Sequence, residues 1–345
     1  MRAGRSRLLM AATAALVVLV GGGTAAATPP KAPATGEFAP VDRPGPRLSV
    51  PAEQLAASLS CNGSLHRLQQ DPVLLVPGTT LTPEVNFGWN YMRAFDQMGL
   101  RWCAVTLPFD ATGDIQVAAE HVVSALRTMA KKSGRDVDVV GYSQGGMVPR
   151  WALRFWPDTR ALVDDVIGLS PSNHGTVVAD VACQRDCTPA NHQQASQSAF
   201  MRALNSGVET FPGIDYTAAY TWTDEIVVPK TPPKPSSALR ADGGRVANIA
   251  LQEVCGLNAA DHFAIGSFDP VGYAIVVDAL THDGPAARER IPLAACVQGT
   301  HPGVDRTTFP QDFLGMVRYA GDSSGDAPKT ADEPPLRPYV YAARR

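Results

Sequence analysis

The sequence has little charge and no strongly basic surface signature. Only 18% of its 345 residues are charged, with 30 basic against 33 acidic, and no polybasic stretch occurs beyond the N-terminus. Nucleic-acid-binding proteins concentrate positive charge on one face, so nucleic acid is not an expected partner. The apolar run at residues 8–20 has 13 residues, whereas a membrane-spanning helix needs about 20. We expect no transmembrane segment.

That apolar run instead predicts a signal peptide. Arg2, Arg5 and Arg7 precede it, and three alanines at residues 25–27 form an A-x-A cleavage pattern. A membrane anchor is the alternative interpretation, which the short length of the run disfavours. We therefore expect residues 1–27 to be removed and the mature protein to be secreted.

The sequence also lacks C-x-x-C pairs and cysteine–histidine clusters with zinc spacing, so we expect no metal. An even number of cysteines in an exported protein is typical of disulfide bonds. The sequence leaves the pairing open. The cysteines are Cys61, Cys103, Cys183, Cys187, Cys255 and Cys296.

Proline-rich segments flank a body with enough apolar residues, 45% of the chain, to form a large core. We expect residues 28–51 to be a poorly ordered leader and residues 321–345 to be a tail, in which residues 339–341 could dock on the body. The body, residues 52–320, is expected to form one domain. No internal repeat is visible in the sequence.

Short apolar runs alternate with amphipathic helical patterns through the body. This alternation predicts an α/β fold with a mostly parallel central sheet and helices on both faces. The predicted strands are residues 73–76, 102–106, 137–140, 166–169, 216–222 and 246–251. The clearest predicted helices are residues 86–98, residues 147–155, and one that begins at residue 115 and stops at Gly134.

A G-x-S-x-G motif links a valine-rich strand to a helix at residues 141–145. This context is typical of a nucleophile elbow, in which glycines permit close packing around a strained turn. We therefore predict Ser143 as a catalytic nucleophile. The alternative is a glycine-rich turn without catalytic function.

A serine nucleophile needs a base and a carboxylate, which follow the serine in the order acid, histidine in this fold. His262 follows the last predicted strand in a loop that can reach the elbow. Asp224 follows the strand at residues 216–222, at the edge where ligands bind in such sheets. Glu225 is the competing acid, and a surface cap is the other alternative for Asp224. The alternative for His262 is an exposed histidine or a buried one that is satisfied within the core.

Two backbone N–H groups are expected to form an oxyanion hole. One belongs to Gln144, which follows the nucleophile, and the other to Thr79, in the loop after the first predicted strand. The Thr79 hydroxyl is a candidate third donor. An ordinary turn at residues 77–79 is the alternative.

Five motifs in chain order resemble those of the Candida antarctica lipase B-like family of secreted α/β-hydrolases. They are Leu74-Leu75-Val76-Pro77-Gly78-Thr79, Tyr142-Ser143-Gln144-Gly145-Gly146, Thr223-Asp224-Glu225-Ile226-Val227, Val254-Cys255-Gly256 and Asp261-His262. The resemblance covers about residues 55–300. It implies an α/β-hydrolase fold, the triad of Ser143, Asp224 and His262, and an oxyanion hole at Thr79 and Gln144.

The resemblance also implies disulfides and substrate contacts. It implies disulfides Cys61–Cys103 and Cys255–Cys296, which leave Cys183 to pair with Cys187 outside the family pattern. Tyr142, Gln194 and Ile226 are expected to contact the substrate.

Two departures from the family concern specificity. Tyr142 stands where the family lipase has tryptophan before its nucleophile, and Ser172 stands where it has aspartate. The pocket on the alcohol side is therefore expected to differ. The segment at residues 179–204 is expected to form either a lid or a solvent-facing surface helix.

Together these features predict a secreted, monomeric serine ester hydrolase, a lipase or carboxylesterase, that works without a cofactor. Its expected substrate is an ester or a lipid, and a lipid–water interface is a candidate place of action. The alternatives are an acyltransferase, a polyester depolymerase or a peptidase on the same fold, and a non-catalytic binding protein.

Overall fold

A computed structural model describes residues 37–342 of the chain. The predicted signal peptide, residues 1–27, and the start of the predicted leader lie outside these residues. In the described range, the centre of the fold is a sheet of seven strands in the order β1-β3-β2-β4-β5-β6-β7. The strands are β1 Leu59–Cys61, β2 Val73–Val76, β3 Trp102–Val105, β4 Val137–Tyr142, β5 Val163–Leu169, β6 Asp215–Tyr220 and β7 Arg245–Ala250.

Only the short edge strand β1 is antiparallel; the other pairs are parallel. All six predicted strands are present within two or three residues of their expected ends. The α-helices in the described residues are α1 Ala52–Ala57, α2 Pro83–Phe87, α3 Tyr91–Gln97, α4 Ile115–Ser133, α5 Gln144–Phe155, α6 Val177–Ala182, α7 Pro189–Gln194, α8 Ala199–Leu204, α9 Leu251–Val254, α10 His262–Ile265, α11 Pro270–Thr281 and α12 Phe309–Asp326.

Helices cover both faces of the sheet, as predicted. Successive side chains of a strand point to opposite faces, and in β2 Leu74 and Val76 pack into one apolar cluster while Val73 and Leu75 pack into the other. Helices α4, α5 and α8 contribute to the first cluster, and α3, α11 and α12 contribute to the second. A strand buried on both faces is therefore apolar along its whole length.

The helix predicted at residues 86–98 is divided into α2 and α3. Gly88 ends α2, and the Asn90 side chain accepts a hydrogen bond from the Tyr91 N–H at 2.5 Å. Asparagine is a strong helix-capping residue because its side chain satisfies an N–H group left free at the helix start. This cap starts a new helix where the apolar spacing had predicted a continuous one.

The N-terminal segment was predicted to be poorly ordered, but residues 37–51 pack on the body. The Ala39 N–H donates to the Val340 carbonyl at 2.8 Å, and the Trp156 indole donates to the Pro46 carbonyl at 2.9 Å. Proline-rich composition removes helix and sheet hydrogen bonds but does not prevent an extended chain from docking.

The C-terminal segment begins inside a helix, because α12 includes the first six residues of the predicted tail, 321–326. The chain then returns over the body. Tyr339 accepts a hydrogen bond from the Trp151 indole at 3.0 Å, and Val340 is fully buried. Residues 339–341 thus dock as the sequence had suggested.

Three disulfide bonds join the cysteines, and they are the two that the family resemblance implied and the remaining pair outside the family pattern. They are Cys61–Cys103, Cys183–Cys187 and Cys255–Cys296. In the part of the chain that the structure describes, one stretch, residues 262–281, is long and apolar enough for a membrane span, with a mean hydropathy of 1.4. Of its most apolar window, 67% is buried inside the fold, as expected for a core element of a globular protein.

Candidate active site

The strained turn of the predicted elbow lies between β4 and α5. Ser143 has φ 55° and ψ −122°, a conformation that residues other than glycine rarely adopt. A Cβ added to Gly141 would lie 2.1 Å from the Gly145 carbonyl oxygen, and one added to Gly145 would lie 2.1 Å from that of Val76. Only glycine lets β2, β4 and α5 approach this closely.

Three side chains from separate parts of the sequence meet at this turn. His262 Nε2 lies 3.0 Å from Ser143 Oγ, and His262 Nδ1 lies 2.9 Å from Asp224 Oδ2. All three residues are buried. The distances are within hydrogen-bond range, so the serine hydroxyl can donate to the imidazole while the carboxylate orients the ring.

The topology of the sheet explains this meeting. Ser143 follows β4, Asp224 follows β6 after a short turn, and His262 is the first residue of α10, in the segment after β7. The carboxyl ends of parallel strands share one edge of the sheet, which is where ligands gather in open α/β folds.

Asp224 is surrounded by hydrogen-bond donors. Burial alone would raise its pKa, but the charge and N–H of His262 and the backbone N–H groups of Val227 and Ile226 hold the pKa below its usual value. Those two N–H groups donate to Asp224 Oδ1 at 2.8 and 2.9 Å. Asp224 is thus kept as a carboxylate beside the imidazole.

Glu225, the competing acid in the sequence, has a different position. Its Oε2 accepts a hydrogen bond from the His262 backbone N–H at 3.0 Å, whereas Asp224 contacts the imidazole ring. Asp261, also next to the histidine in sequence, accepts from the Ala264 N–H at 2.8 Å and caps α10. Both carboxylates fix the backbone around His262.

Tyr142 packs against the candidate base. Its ring centroid lies 5.0 Å from that of His262, and burial, together with the negative charges of Asp224 and its neighbours, raises the pKa of its hydroxyl well above the usual value. Tyr142 is therefore a neutral aromatic wall on one side of the imidazole. A Cβ on Gly266 would lie 2.2 Å from this ring, so the residue that follows α10 must be glycine for the ring to keep this position.

A network of polar side chains lies beside the nucleophile. The Thr79 hydroxyl donates to Gln144 Oε1 at 2.7 Å and accepts from Gln194 Nε2 at 3.0 Å. Ser172 Oγ donates to Gln194 Oε1 at 2.8 Å. The Thr79 hydroxyl proton, expected from the sequence as a candidate third oxyanion donor, is directed at the Gln144 side chain.

The backbone donors follow from position in the chain. Gln144 is the first residue of α5, so its N–H is one of the four that an α-helix leaves without an intrahelical acceptor. Thr79 follows β2 after two residues, which brings its backbone to the same edge of the sheet. Thr79 lines the cavity at Ser143, and its hydroxyl donates to the Gln144 side chain.

This cavity of about 340 Å³ opens above Ser143 and His262. Tyr142, Gln194 and Ile226, the three residues expected to contact substrate, all line it. The rest of the wall consists of apolar side chains and uncharged polar side chains. Its other residues are Thr79, Thr80, Leu81, Thr176, Val178, Ala179, Ala182, Asn191, Val227, Phe263, Val317, Ala320, Gly321 and Ser324.

Helix α12 contributes Val317, Ala320, Gly321 and Ser324 to this wall, a contribution that was missed from the sequence. Residues from 321 onward had been predicted as a proline-rich tail. The signal was present in the apolar spacing of residues 309, 313, 316 and 320, which pack on one face of the helix. This periodicity distinguishes the helix that completes the cavity wall from a tail without regular structure.

The predicted lid segment has two different parts. Helix α6 lines the cavity through Ala179 and Ala182 and carries exposed Val181, 66% accessible. Helix α8 is buried instead, and its Phe200 stacks on Trp151 with ring centroids 4.1 Å apart. Only the first part, at α6 and α7, borders the cavity.

The fold and the geometry at the strand ends define the chain as an α/β-hydrolase with a Ser-His-Asp arrangement. Comparisons with known proteins agree. Residues 120–250 match the family model "Lipase (class 2)". The chain is 33% identical over 220 residues to lipase B of Pseudozyma antarctica, an alignment that spans 63% of this chain and 64% of that protein.

The fold is similar to the crystal structure of Aspergillus fumigatus lipase B. The TM-score is 0.81 with 29% sequence identity, over 87% of this chain and 74% of that one. The resemblance to lipase B-like α/β-hydrolases that five motifs had predicted is therefore confirmed.

Proposed function

We propose that the protein is a secreted serine ester hydrolase of the lipase or carboxylesterase type, acting through an acyl-enzyme. The contact of His262 Nε2 with Ser143 Oγ at 3.0 Å, in a ring whose Nδ1 is held by Asp224, carries the proposal. The similarity to class 2 lipases and lipase B supports an ester or a lipid as the substrate.

In the first half of the proposed reaction, Ser143 Oγ attacks the ester carbonyl carbon while its proton passes to His262 Nε2. The carbonyl electron pair moves to oxygen, which the N–H groups of Gln144 and Thr79 would bind. The intermediate then expels the alkoxide, and His262 gives it the proton. The products are a free alcohol and an acyl-Ser143 ester.

In the second half, water replaces the alcohol. His262 takes a proton from water as the hydroxide attacks the acyl carbon, and the same proton returns to Ser143 Oγ when the carboxylic acid leaves. Each step uses only the chain's own side chains, the ester and water. Asp224 stabilises the imidazolium that forms in both halves.

We expect the cavity to hold small acyl groups best. Its volume of about 340 Å³ lies at the lower end of the range of ligand pockets, about 300–1,000 Å³. Apolar residues such as Leu81, Val178 and Val227 line it. We expect short- and medium-chain esters to be turned over with the highest kcat/KM and long-chain esters less efficiently.

The three disulfides support an oxidising, extracellular location, which agrees with the signal peptide predicted at residues 1–27. Monomeric behaviour and action at a lipid–water interface belong to the same proposal. The exposed valines of α6, Val177, Val178 and Val181, lie beside the cavity mouth and would meet an apolar surface first.

The test is a series of p-nitrophenyl esters of graded acyl length beside a peptide panel. The wild-type protein should hydrolyse the esters and not the peptides. Ser143→Ala should lose about 10⁶-fold in kcat, as serine triads do, with an unchanged circular dichroism spectrum. Ester turnover that survives in this variant would contradict the assignment of Ser143.

A fluorophosphonate probe gives an independent readout of the nucleophile. It should add one adduct to the wild-type protein by mass spectrometry and none to Ser143→Ala. Peptide cleavage instead of ester cleavage would indicate a peptidase, and acyl transfer to an added alcohol that outpaces hydrolysis would indicate an acyltransferase. Absence of both labelling and turnover would indicate a binding protein.

A further inference from the structure

Aspartates gather at the edge of the sheet opposite the candidate active site. Asp71 comes two residues before β2, Asp138 is the second residue of β4, and Asp164 and Asp165 are the second and third of β5. These three strands are parallel neighbours, so their amino ends share one edge. Along β4, Asp138 lies about 16 Å from Ser143, from a rise of about 3.3 Å per residue.

An irregularity between β4 and β5 concentrates the acidic groups. Val137 pairs with Val163 and Val139 pairs with Val166, so Asp138 faces two residues of β5, Asp164 and Asp165. Such a bulge is uncommon between parallel strands and redirects side chains locally. Asp164 and Asp165 therefore both stand opposite Asp138, where regular pairing would place one residue.

One carboxylate oxygen from each of Asp71, Asp138 and Asp164 lies within 4.8 Å of the other two. Oxygen ligands stand about 2.4 Å from a bound Ca²⁺, so two ligands of one ion are at most about 4.8 Å apart. The three oxygens are therefore spaced as ligands of a single cation.

A second observation points to a ligand at this position. Asp138 is only 7% exposed, and its Oδ1 is buried without a hydrogen-bond partner among the residues that the structure describes. Arg135 donates to Asp71 Oδ1 at 2.6 Å, so the nearby positive charge is engaged with the outer carboxylate. A buried anionic oxygen without a donor is strongly unfavourable unless a cation or a proton neutralises it.

The electrostatics agree with this geometry. Burial, and then the negative charges of Asp71 and Asp164, raise the pKa of Asp138 to about 8.

We propose that Asp71, Asp138 and Asp164 bind a calcium ion that fastens the amino ends of β2, β4 and β5. Calcium suits three carboxylates from separate segments because it accepts six to eight oxygen ligands in flexible geometry, whereas Mg²⁺ requires a near-ideal octahedron. Asp164 is exposed, so water can enter and complete the coordination. The affinity expected of such an extracellular site is a Kd of about 10⁻⁴–10⁻³ M.

The proposal concerns stability and does not depend on the proposed hydrolase activity. A second group of possible ligands, Cys183, Cys187 and His192, does not compete with it. Its two sulfur atoms form a disulfide, whereas a metal ligand must be a thiolate.

The experiment is thermal unfolding of the full protein, after EDTA treatment, over a CaCl₂ series, with NaCl controls of matched ionic strength and a parallel MgCl₂ series. We expect Tm to rise by about 3 °C at a calcium concentration ten times the Kd. Isothermal titration calorimetry with CaCl₂ should show one site. Esterase activity at a temperature well below Tm should be the same in EDTA and in calcium.

Three variants assign the ligands. Asp138→Asn keeps the shape of the side chain but removes the charge, and should abolish the Tm response while unfolding at the same temperature as wild type or higher in EDTA. Asp164→Asn should weaken calcium binding about tenfold or more, by the loss of one charged ligand. Asp136→Asn, which removes a neighbouring charge outside the three ligands, should keep the response.

Each result decides the proposal. No Tm shift and no calorimetric heat with calcium would overturn it, as would a shift that persists in Asp138→Asn. An equal shift in ionic-strength-matched NaCl would show that salt merely screens repulsion, and an equal shift in MgCl₂ would overturn the assignment to calcium.

Discussion

Buried carboxylates have opposite pKa shifts at the two edges of the parallel sheet. At the carboxyl edge, Asp224 accepts hydrogen bonds from His262 and from the backbone N–H groups of Ile226 and Val227, and its pKa is lowered. At the amino edge, Asp138 and Asp165 each have a buried Oδ1 without a donor in the described residues, and their pKa values are raised.

This contrast shows that burial alone does not determine the charge of a carboxylate. Both edges desolvate their aspartates, which disfavours the ionised form. At the carboxyl edge the surrounding donors outweigh that penalty and preserve the charge that Asp224 needs in the proposed mechanism. At the amino edge no described donor reaches Oδ1 of Asp138 or of Asp165, and the effect of burial on their pKa values prevails.

Among the variants that test this contrast, Asp224→Asn should have the largest effect on activity. The amide cannot stabilise the imidazolium, so kcat on p-nitrophenyl esters should fall by about 10⁴-fold. The free energy of unfolding should change little by comparison, because the amide is similar in shape to the carboxylate. Steady-state kinetics and urea unfolding of the same preparation measure both.

Glu225→Gln is the matched control for that variant. Its amide oxygen can still accept a hydrogen bond from the His262 backbone N–H, so activity should stay close to wild type. If Glu225→Gln lost activity and Asp224→Asn did not, the acid of the triad would be Glu225.

Gly145→Ala tests the close approach that forms the carboxyl edge. Its Cβ would lie 2.1 Å from the Val76 carbonyl oxygen, and overpacking of this kind destabilises by about 3 kcal/mol. Gly315 is a helical glycine where an added Cβ would meet no atom within 4 Å, so Gly315→Ala should instead stabilise by about 1 kcal/mol. Urea unfolding of both variants checks the difference, and equal effects would contradict it.

His301→Gln extends the comparison to histidine. His301 is buried, its Nε2 donates to the Ser267 carbonyl at 2.8 Å and its Nδ1 accepts from the Gly303 N–H at 3.1 Å. This arrangement holds the ring neutral. Burial, partly opposed by the Ser267 carbonyl, lowers the pKa of His301 to about 4.

Between pH 6.5 and 4 the unfolded chain therefore binds a proton at His301 that the folded chain does not. Stability must fall as the pH falls through this window, by about 3 kcal/mol in total. His301→Gln should remove that part of the slope, as measured by urea unfolding at a series of pH values. Parallel pH profiles for the two proteins would refute the neutral-ring arrangement.

Thr79→Val tests the polar network with the smallest expected effect. Since the Thr79 hydroxyl donates to Gln144 Oε1, its loss should disturb the network and lower kcat by about tenfold, while the backbone N–H remains. A true oxyanion donor would be worth about 10²–10³ in kcat. A loss of that size, rescued by Thr79→Ser, would show that the hydroxyl turns to the oxyanion during the reaction.

Much of the carboxyl edge was predictable because its signals are local. The elbow glycines, the valine run of β4 and the order of Ser143, Asp224 and His262 are all read along the chain, and each followed a predicted strand. Parallel strands bring their carboxyl ends together whatever the details of packing. The wall formed by α12 was missed because a helix near proline-rich sequence resembled a tail.

The amino edge could not be predicted. Asp71, Asp138 and Asp164 are separated by long stretches of sequence and match no local motif. Their proximity depends on the strand order and on the irregular pairing of β4 with β5. The docking of residues 37–51 and of Val340 likewise depends on surfaces that exist only after folding.

By itself the sequence determined the alternation of strands and helices, the strained serine turn and the chemistry available after each strand, because backbone sterics and apolar periodicity act over a few residues. Tertiary structure alone decided which donors surround each buried carboxylate, which helix closes the cavity and where acidic groups crowd. Those outcomes depend on distances between remote segments, and desolvation and charge interactions become strong only at those short distances.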